Sequence, residues 1–140
     1  MCNVSAKSPL RITLLALAAA IAAGLSCTVA ATAQELEVQG AVWCDKPEQL
    51  ESVLKRHLVD GMPIDAALAM TNAAVADPSA CGAVKAIVSP TGKSRRFVVG
   101  DQLMSIAEYT VHGVIKDGQP LKIEALTWYS ARMVAKLTAV

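Results

Sequence analysis

Aromatic residues and histidines are scarce in this chain, and the scarcity excludes several classes of function. The 140 residues include one Phe, two Tyr, two Trp and two His. Two histidines do not supply a zinc site with any familiar ligand spacing. The formal net charge is +1, so the chain has no electrostatic footprint for nucleic acid or an anionic lipid surface. We therefore expect no metal, no cofactor and no nucleic-acid partner.

Motifs of familiar catalytic chemistry are also missing. No serine lies in a G-x-S-x-G elbow, and no two acids stand out as a glycosidase pair. Gly92-Lys93-Ser94 resembles the end of a phosphate-binding loop, but Ile87 holds the place of the required earlier glycine. A strand-like segment, Phe97 to Val99, follows where such a loop needs a helix. We nominate no catalytic residue.

The chain does begin with the pattern of an export signal. Lys7 and Arg11 precede an apolar run from Ile12 to Leu25, and Ala31-Thr32-Ala33 forms an A-x-A cleavage site. This order predicts a signal peptide over residues 1–33 and a single domain over residues 34–140, located in the periplasm or secreted. Removing Lys7 and Arg11 with the signal turns the formal charge of +1 into about −1.

Two other interpretations of the same segment stay open. Ile12 to Ala33 is a 22-residue stretch without charge, close to the ~20 residues that span a bilayer. It therefore also fits the uncleaved anchor of a membrane-anchored accessory subunit. Lipidation at Cys27 is the third interpretation, although Gly24 holds the place where a lipobox usually has Leu.

Two of the four cysteines fall beyond the predicted signal, Cys44 and Cys81. An even pair in an oxidising compartment predicts a disulfide. The alternative is a thiol pair for redox or metal chemistry, but the two cysteines lie far apart and form no C-x-x-C motif.

The hydrophobic pattern from residue 45 onward predicts two helices joined by a short loop. Asp45 is placed as the N-cap of the first helix and Gly61 as its end. The apolar face of this helix has helical spacing and comprises Leu50, Val53, Leu54, His57 and Leu58. On that face we expect His57 to be a core residue with a satisfied hydrogen bond. The second helix begins at Pro63 and ends at Asp77, so the two helices should form an antiparallel hairpin.

The remaining segments read as strands. Gly40 to Cys44 forms a short N-terminal strand, preceded by a loose polar segment. Four further strands are predicted over residues 83–89, 95–99, 105–116 and 121–134. Pro90 to Lys93 and Asp117-Gly118 are placed as hairpin turns. The predicted fold is α+β, with the helical hairpin packed on one face of a four-stranded antiparallel meander.

Three features of this sheet are candidates for function. Lys93, Arg95 and Arg96 form the only basic cluster in the sequence. It is typical of a solvated edge strand that discourages aggregation, and it also suits an anionic partner. His112 shares a strand face with Glu108, which indicates either a polar surface or a weak site.

The few aromatic residues are the other candidates. Trp43 adjoins Cys44 and should pack near the disulfide. Trp128 and Tyr129 are consecutive in a strand and must point to opposite faces, so one ring should be exposed. The candidate partner-binding residues are therefore Phe97, Tyr109, Trp128 and Tyr129.

Residues 42–50 read V-W-C-D-K-P-E-Q-L, residues 66–76 are Ala-rich, and Cys81 follows an Asp-Pro pair. In this pattern the chain resembles small exported bacterial proteins of uncharacterised function that have a two-cysteine α+β domain. In architecture it is similar to β-lactamase inhibitory proteins and to the small outer-membrane assembly lipoproteins, the latter through Gly61-Met62-Pro63. Neither resemblance implies an activity or a set of site residues.

These observations favour a non-enzymatic periplasmic or secreted domain that binds a protein or an envelope component. A small envelope enzyme or enzyme inhibitor is the second hypothesis. A membrane-anchored accessory subunit is the third.

Overall fold

The structure is a computed structural model that describes residues 35 to 139. The predicted signal, its cleavage after Ala33, the alternative anchor and the lipidation of Cys27 all lie outside the described residues. The elements are β1 (Glu37–Cys44), α1 (Pro47–Leu58), α2 (Ile64–Ala74), β2 (Cys81–Val99), β3 (Gln102–Lys116) and β4 (Gln119–Lys136). The fold is thus α+β, as predicted. Within this range no helix is both long enough and apolar enough to cross a membrane.

The four strands pair antiparallel in the order of the sequence and close into a ring. β1 pairs along its whole length with the start of β2, from Glu37 opposite Val88 to Cys44 opposite Cys81. β3 pairs with β2 on one side and with β4 on the other. A single pair, Cys44 opposite Tyr129, joins β1 to β4. The described residues therefore leave most of the outer side of β4 unpaired.

The predicted hairpin turn at Pro90 to Lys93 is wrong, because β2 runs through it as one strand of 19 residues. Pro90 lies opposite Tyr109 and Ser94 lies opposite Ala107. β2 thus advances four residues while β3 advances two, which is a bulge. Gly92 adopts a φ of +85° at this bulge, a conformation that glycine reaches without steric cost.

The predicted start of the first strand is also corrected. β1 begins at Glu37, so residues 37–39, expected to be a loose segment, are paired with β2. Gln39 thereby lies opposite Ala86 in the ring.

The N-cap of α1 lies one residue later than predicted. Lys46 is the N-cap, and its backbone N–H donates to the side-chain oxygen of Gln49 at 3.0 Å. The N–H of Asp45 donates instead to the carbonyl of Ala80 at 2.9 Å. Pro47 opens the helix, where its missing N–H costs no intrahelical bond.

The expected core position of His57 is wrong. His57 is exposed, and its Nδ1 donates to the carbonyl oxygen of Met62 at 2.7 Å. Leu50 and Val53 of the same helix are fully buried, and Leu54 is half-buried. The apolar face of α1 is therefore centred on its first two turns, since His57 lies next to the loop that leads to α2.

The described core has two clusters on opposite sides of the sheet. The first joins α1, α2 and the strands, and it comprises Cys44, Leu50, Val53, Ala67, Leu68, Cys81 and Ile106. The second lies inside the ring and comprises Trp43, Ala86, Val88 and Val111. Curling of the four strands therefore buries a second apolar face that an open sheet would expose.

The predicted disulfide between Cys44 and Cys81 is confirmed, and it joins directly opposed residues of β1 and β2. Asn72 of α2 hydrogen-bonds to the backbone at Cys81 and so holds the start of β2 beside the disulfide. Its side-chain amide donates to the carbonyl of Cys81 at 2.9 Å and accepts from the N–H of Cys81 at 2.9 Å. It also donates to the carbonyl of Pro78 at 3.0 Å. A disulfide of this kind indicates an oxidising environment.

Candidate functional site

A charged pocket lies where the N-terminus of α1 meets the sheet. We call it the Glu108 pocket, and its walls are Pro47, Lys93, Ser94, Arg95, Ile106, Glu108 and Tyr129. Glu108 and Tyr129 are directly opposed residues of β3 and β4, so their side chains share one face. The β2 bulge brings Lys93 to the same carboxylate.

Glu108 is the centre of the hydrogen bonding in this pocket. Its carboxylate lies 3.1 Å from Lys93 Nζ and accepts a hydrogen bond from the Tyr129 hydroxyl at 3.0 Å. The backbone carbonyl of Glu108 accepts from the Thr91 hydroxyl at 3.2 Å. These contacts use both carboxylate oxygens, which leaves the carboxylate ionised and fixed in place.

The two ionisable partners shift each other's pKa in opposite directions. The hydrogen bonds from Lys93 and then Tyr129 lower the pKa of Glu108. The hydrogen bond to Glu108 raises the pKa of Tyr129, because the carboxylate disfavours a neighbouring phenolate. Tyr129 therefore stays protonated at neutral pH and does not act as a general base there.

Arg95 forms the wall of the pocket towards α1. Its guanidinium lies 2.5 Å from Glu51 and 3.6 Å from Glu48, both in the first half of the helix. The cavity measures about 180 Å³, room for roughly six water molecules at ~30 Å³ each. Ligand pockets usually have volumes of ~300 Å³ or more, so this cavity is smaller than a typical ligand pocket. The pocket is therefore large enough for a single side chain.

A second polar site lies on the same face of the sheet as the apolar cluster around Trp43, and its residues Ser94, Arg96 and Arg132 are exposed. We call it the interior groove, and it is formed by Gln39, Ser94, Arg96, Ser105, Ser130 and Arg132. These residues come from all four strands, and Ser105 and Ser130 are buried. The groove occupies the part of the ring where β1 and β4 are not paired.

The four candidate aromatic residues divide between the two sides of the sheet. Phe97 and Tyr129 pack against the first core cluster, whereas Tyr109 and Trp128 pack against the second. All four rings are half-buried, so neither Trp128 nor Tyr129 presents the exposed ring that was expected. Their role in partner binding stays a prediction.

Trp43 organises the second group. Its ring centroid lies 5.3 Å from that of Tyr109, edge to face, and 6.2 Å from that of Trp128. Its indole N–H donates to the carbonyl of Val84 at 3.1 Å. The side chain adjoins the disulfide in sequence but points to the opposite side of the strand from Cys44. Trp43 is therefore a fixed interior residue.

The histidines do not gather a catalytic set. His112 Nε2 lies 2.8 Å from the Ser89 hydroxyl, but Ser89 is fully buried and cannot meet a substrate in this arrangement. No carboxylate among the described residues hydrogen-bonds to His112, so the pair lacks the third group that orients such a base. Residues 35–139 contain no group of three or more His, Cys, Asp or Glu placed to hold a metal ion.

The outer edge of β4 is a long unpaired strand edge among the described residues. We define it as residues 119–127 and 130–136 on the side away from β3. Exposed apolar side chains lie along this strand, namely Leu121, Leu126, Met133 and Val134. A strand edge presents a row of free N–H and C=O groups, which pair readily with another extended chain.

Sequence reasoning missed Asn72, which holds the start of β2, and Gln39, which lines the interior groove. Asn72 and its neighbour Thr71 are the only polar residues between Asp65 and Asp77, and this isolation was the available signal. Gln39 shows no such signal, because the sequence around it predicts a loose terminal segment. No protein-family model, curated protein or solved structure matches the chain.

Proposed function

We propose that this chain is a non-enzymatic exported domain, periplasmic or secreted, that binds a partner protein along the outer edge of β4. The unpaired edge of β4 is the main support for this proposal. β4 has 18 residues and pairs with β3 from end to end, but only Tyr129 pairs with β1. The occupant we propose is an extended segment of the partner, which adds a strand to the sheet.

The length of the edge supports an extended peptide as the occupant. The stretch from Gln119 to Thr127 covers nine residues, about 30 Å at ~3.3 Å per residue. Leu121 and Leu126 are each 46% exposed along it. Backbone hydrogen bonds to such an edge supply affinity, and pockets for alternate side chains supply specificity.

The two faces of the sheet take different roles in this proposal. The helical hairpin of α1 and α2 covers one face, and both helices contact the strands there. The aromatic residues stiffen the ring beside β4, because Trp128 and Tyr129 pack on opposite faces of that strand. A rigid ring pre-organises the edge and so reduces the entropy cost of binding.

Two observations favour binding over catalysis. Ser89, the serine paired with His112, is fully buried, and the Glu108 pocket holds a carboxylate already engaged by Lys93 and Tyr129. The disulfide fits export to an oxidising compartment, where such bonds persist.

Site-specific photo-crosslinking of the full chain in its host tests this proposal. A photo-reactive residue at position 121 should give one discrete, higher-mass adduct with a partner. Leu126→Lys should reduce that adduct at least tenfold, because an edge lysine opposes strand addition. The matched control is Met70→Lys on α2, since Met70 is 45% exposed, close to the 46% of Leu126.

Equal loss of the adduct in both lysine variants would contradict edge binding. An adduct with the mass of two copies would replace the partner with a second copy of this chain. A crosslink within the chain would mean that its own terminal segment covers the edge.

A further inference from the structure

Two exposed arginines flank a buried serine on one face of the sheet. Arg96 of β2 lies opposite Ser105 of β3, and Ser105 lies opposite Arg132 of β4. Directly opposed residues of antiparallel strands point to the same face. Adjacent strands are ~4.8 Å apart, so the two arginine backbones are separated by about 10 Å. Two guanidiniums on long side chains can therefore converge over Ser105.

Neither arginine is neutralised by the described part of the chain. The ion pairs there involve Lys93, Arg95 and Lys136, but not Arg96 or Arg132. Arg96 and Arg132 both line a cavity of about 360 Å³. Two unpaired guanidiniums at one concave site are a strong attraction for an anion.

The groove also supplies neutral hydrogen-bonding groups. Ser94 and Ser105 line the same cavity as the two arginines. Ser105, Ser130 and Gln39 line an adjoining cavity of about 60 Å³, which Arg132 shares. The side-chain oxygen of Gln39 is buried without a hydrogen-bond partner among the described residues. A buried acceptor of this kind is costly unless a donor reaches it.

We propose that the interior groove binds a phosphate group between Arg96 and Arg132. The forked guanidiniums donate in pairs to phosphate oxygens, and the Ser105 hydroxyl donates between them. The Gln39 oxygen accepts from a P–OH of the monoanion or from a hydroxyl of an organic phosphate. This site goes beyond the binding edge proposed above and does not depend on it.

The surroundings of the groove indicate where the rest of an organic phosphate would lie. A further cavity of about 330 Å³ adjoins the groove and is lined by Glu37, Gln39, Tyr109 and Arg132 among others. Glu108 and Lys93 also line this cavity and neutralise each other, so the carboxylate of Glu37 is left to disfavour a second negative charge there. The uncharged, hydroxyl-bearing part of the ligand therefore points towards Glu37.

Titration of the exported protein, recovered from its host, with inorganic phosphate at low salt tests the site. Binding followed by NMR should shift signals of Arg96, Ser105 and Arg132. Arg96→Gln and Arg132→Gln should each weaken phosphate binding about 10- to 100-fold, as expected for loss of a charged hydrogen-bond donor. Arg95→Gln is the matched control, because it removes the same charge from the neighbouring residue on the opposite face.

The control separates a built site from general charge attraction. Phosphate binding within twofold of wild type in Arg95→Gln, with loss in the other two variants, supports the proposal. Equal weakening in all three variants, or no saturable phosphate binding by the wild-type chain, would overturn it. Unchanged thermal midpoints in the arginine variants show that the fold is retained.

A second titration identifies the source of the phosphate. Tighter binding of glycerol phosphate than of inorganic phosphate indicates an organic phosphate, and equal binding indicates the free ion. Sulfate has no O–H group at neutral pH and cannot donate a hydrogen bond to the Gln39 oxygen. Sulfate binding as tight as that of phosphate would contradict the role given to Gln39.

Discussion

Loss of the disulfide should destabilise the protein by the same amount whichever cysteine is removed. Cys44 and Cys81 are separated by 37 residues. In the loop-entropy relation a bond that closes this length stabilises the folded state by about 4 kcal/mol at 25 °C. Both cysteines are buried, and alanine replaces each of them without adding a polar group to the core.

Urea denaturation of Cys44→Ala, Cys81→Ala and the double variant measures this effect. Each single variant should lose up to about 4 kcal/mol, and the double variant should lose about the same, within ~1 kcal/mol. The shared value follows because all three variants lack one and the same bond. Wild-type protein unfolded under reducing conditions should match the double variant.

Additive losses would refute this reasoning. A double variant that loses the sum of the two single losses would mean that the cysteines stabilise the core separately as packed side chains. A loss well under 1 kcal/mol would mean that the backbone contacts of β1 and β2 suffice without the bond.

Three further predictions concern the core and the Glu108 pocket. Leu50→Ala should lower the free energy of unfolding by ~2–5 kcal/mol in urea denaturation, because it leaves a cavity at a fully buried site. Leu54→Ala should lower it by less, because Leu54 is only half-buried. Asn72→Ala should lower the free energy of unfolding by ~2–4 kcal/mol with the disulfide intact, because the N–H and C=O of Cys81 lose their hydrogen bonds to Asn72. Glu108→Gln should lower the pKa of Tyr129 in an ultraviolet pH titration, because a neutral amide does not oppose the phenolate. Because the pKa of Glu108 is lower in the folded protein than in the unfolded chain, its carboxylate stabilises the fold at pH values above the unfolded pKa. This stabilisation is lost as the pH falls through the folded pKa. The free energy of unfolding should therefore decline less in acid in Glu108→Gln than in the wild type.

The helices could be predicted because their signals are local. Leu50 and Val53 recur at helical spacing, and Pro47 and Gly61 mark the ends of the first helix. His57 fits the same spacing but is exposed. Spacing fixes the side of a helix on which a residue lies, whereas the neighbouring elements decide whether that side is covered at each turn.

The strands were less predictable because a turn and a bulge use the same residues. Pro90 and Gly92 suit a hairpin, but β2 continues through them and regains its pairing at Ser94. Local sequence does not distinguish the two outcomes, since the choice depends on which partner strand the chain meets afterwards.

The candidate sites could not be predicted, because the pairing of the strands decides which residues come together. Lys93, Glu108 and Tyr129 were all noted in the sequence, but the bulge and the β3–β4 pairing bring them into one pocket. Arg95 and Arg96 read as one basic cluster, and the strand separates them onto opposite faces. Ring closure then buries the side of the sheet that was expected to expose Trp128 or Tyr129.

Export of a disulfide-bonded domain underlies the proposed partner, which the protein would meet outside the cytoplasm. Intact mass spectrometry of the protein recovered from its host, alkylated before and after reduction, tests it most directly. We expect a chain that begins at Gln34 and whose Cys44 and Cys81 alkylate only after reduction. A full-length mass, or two cysteines that alkylate without reduction, would contradict it.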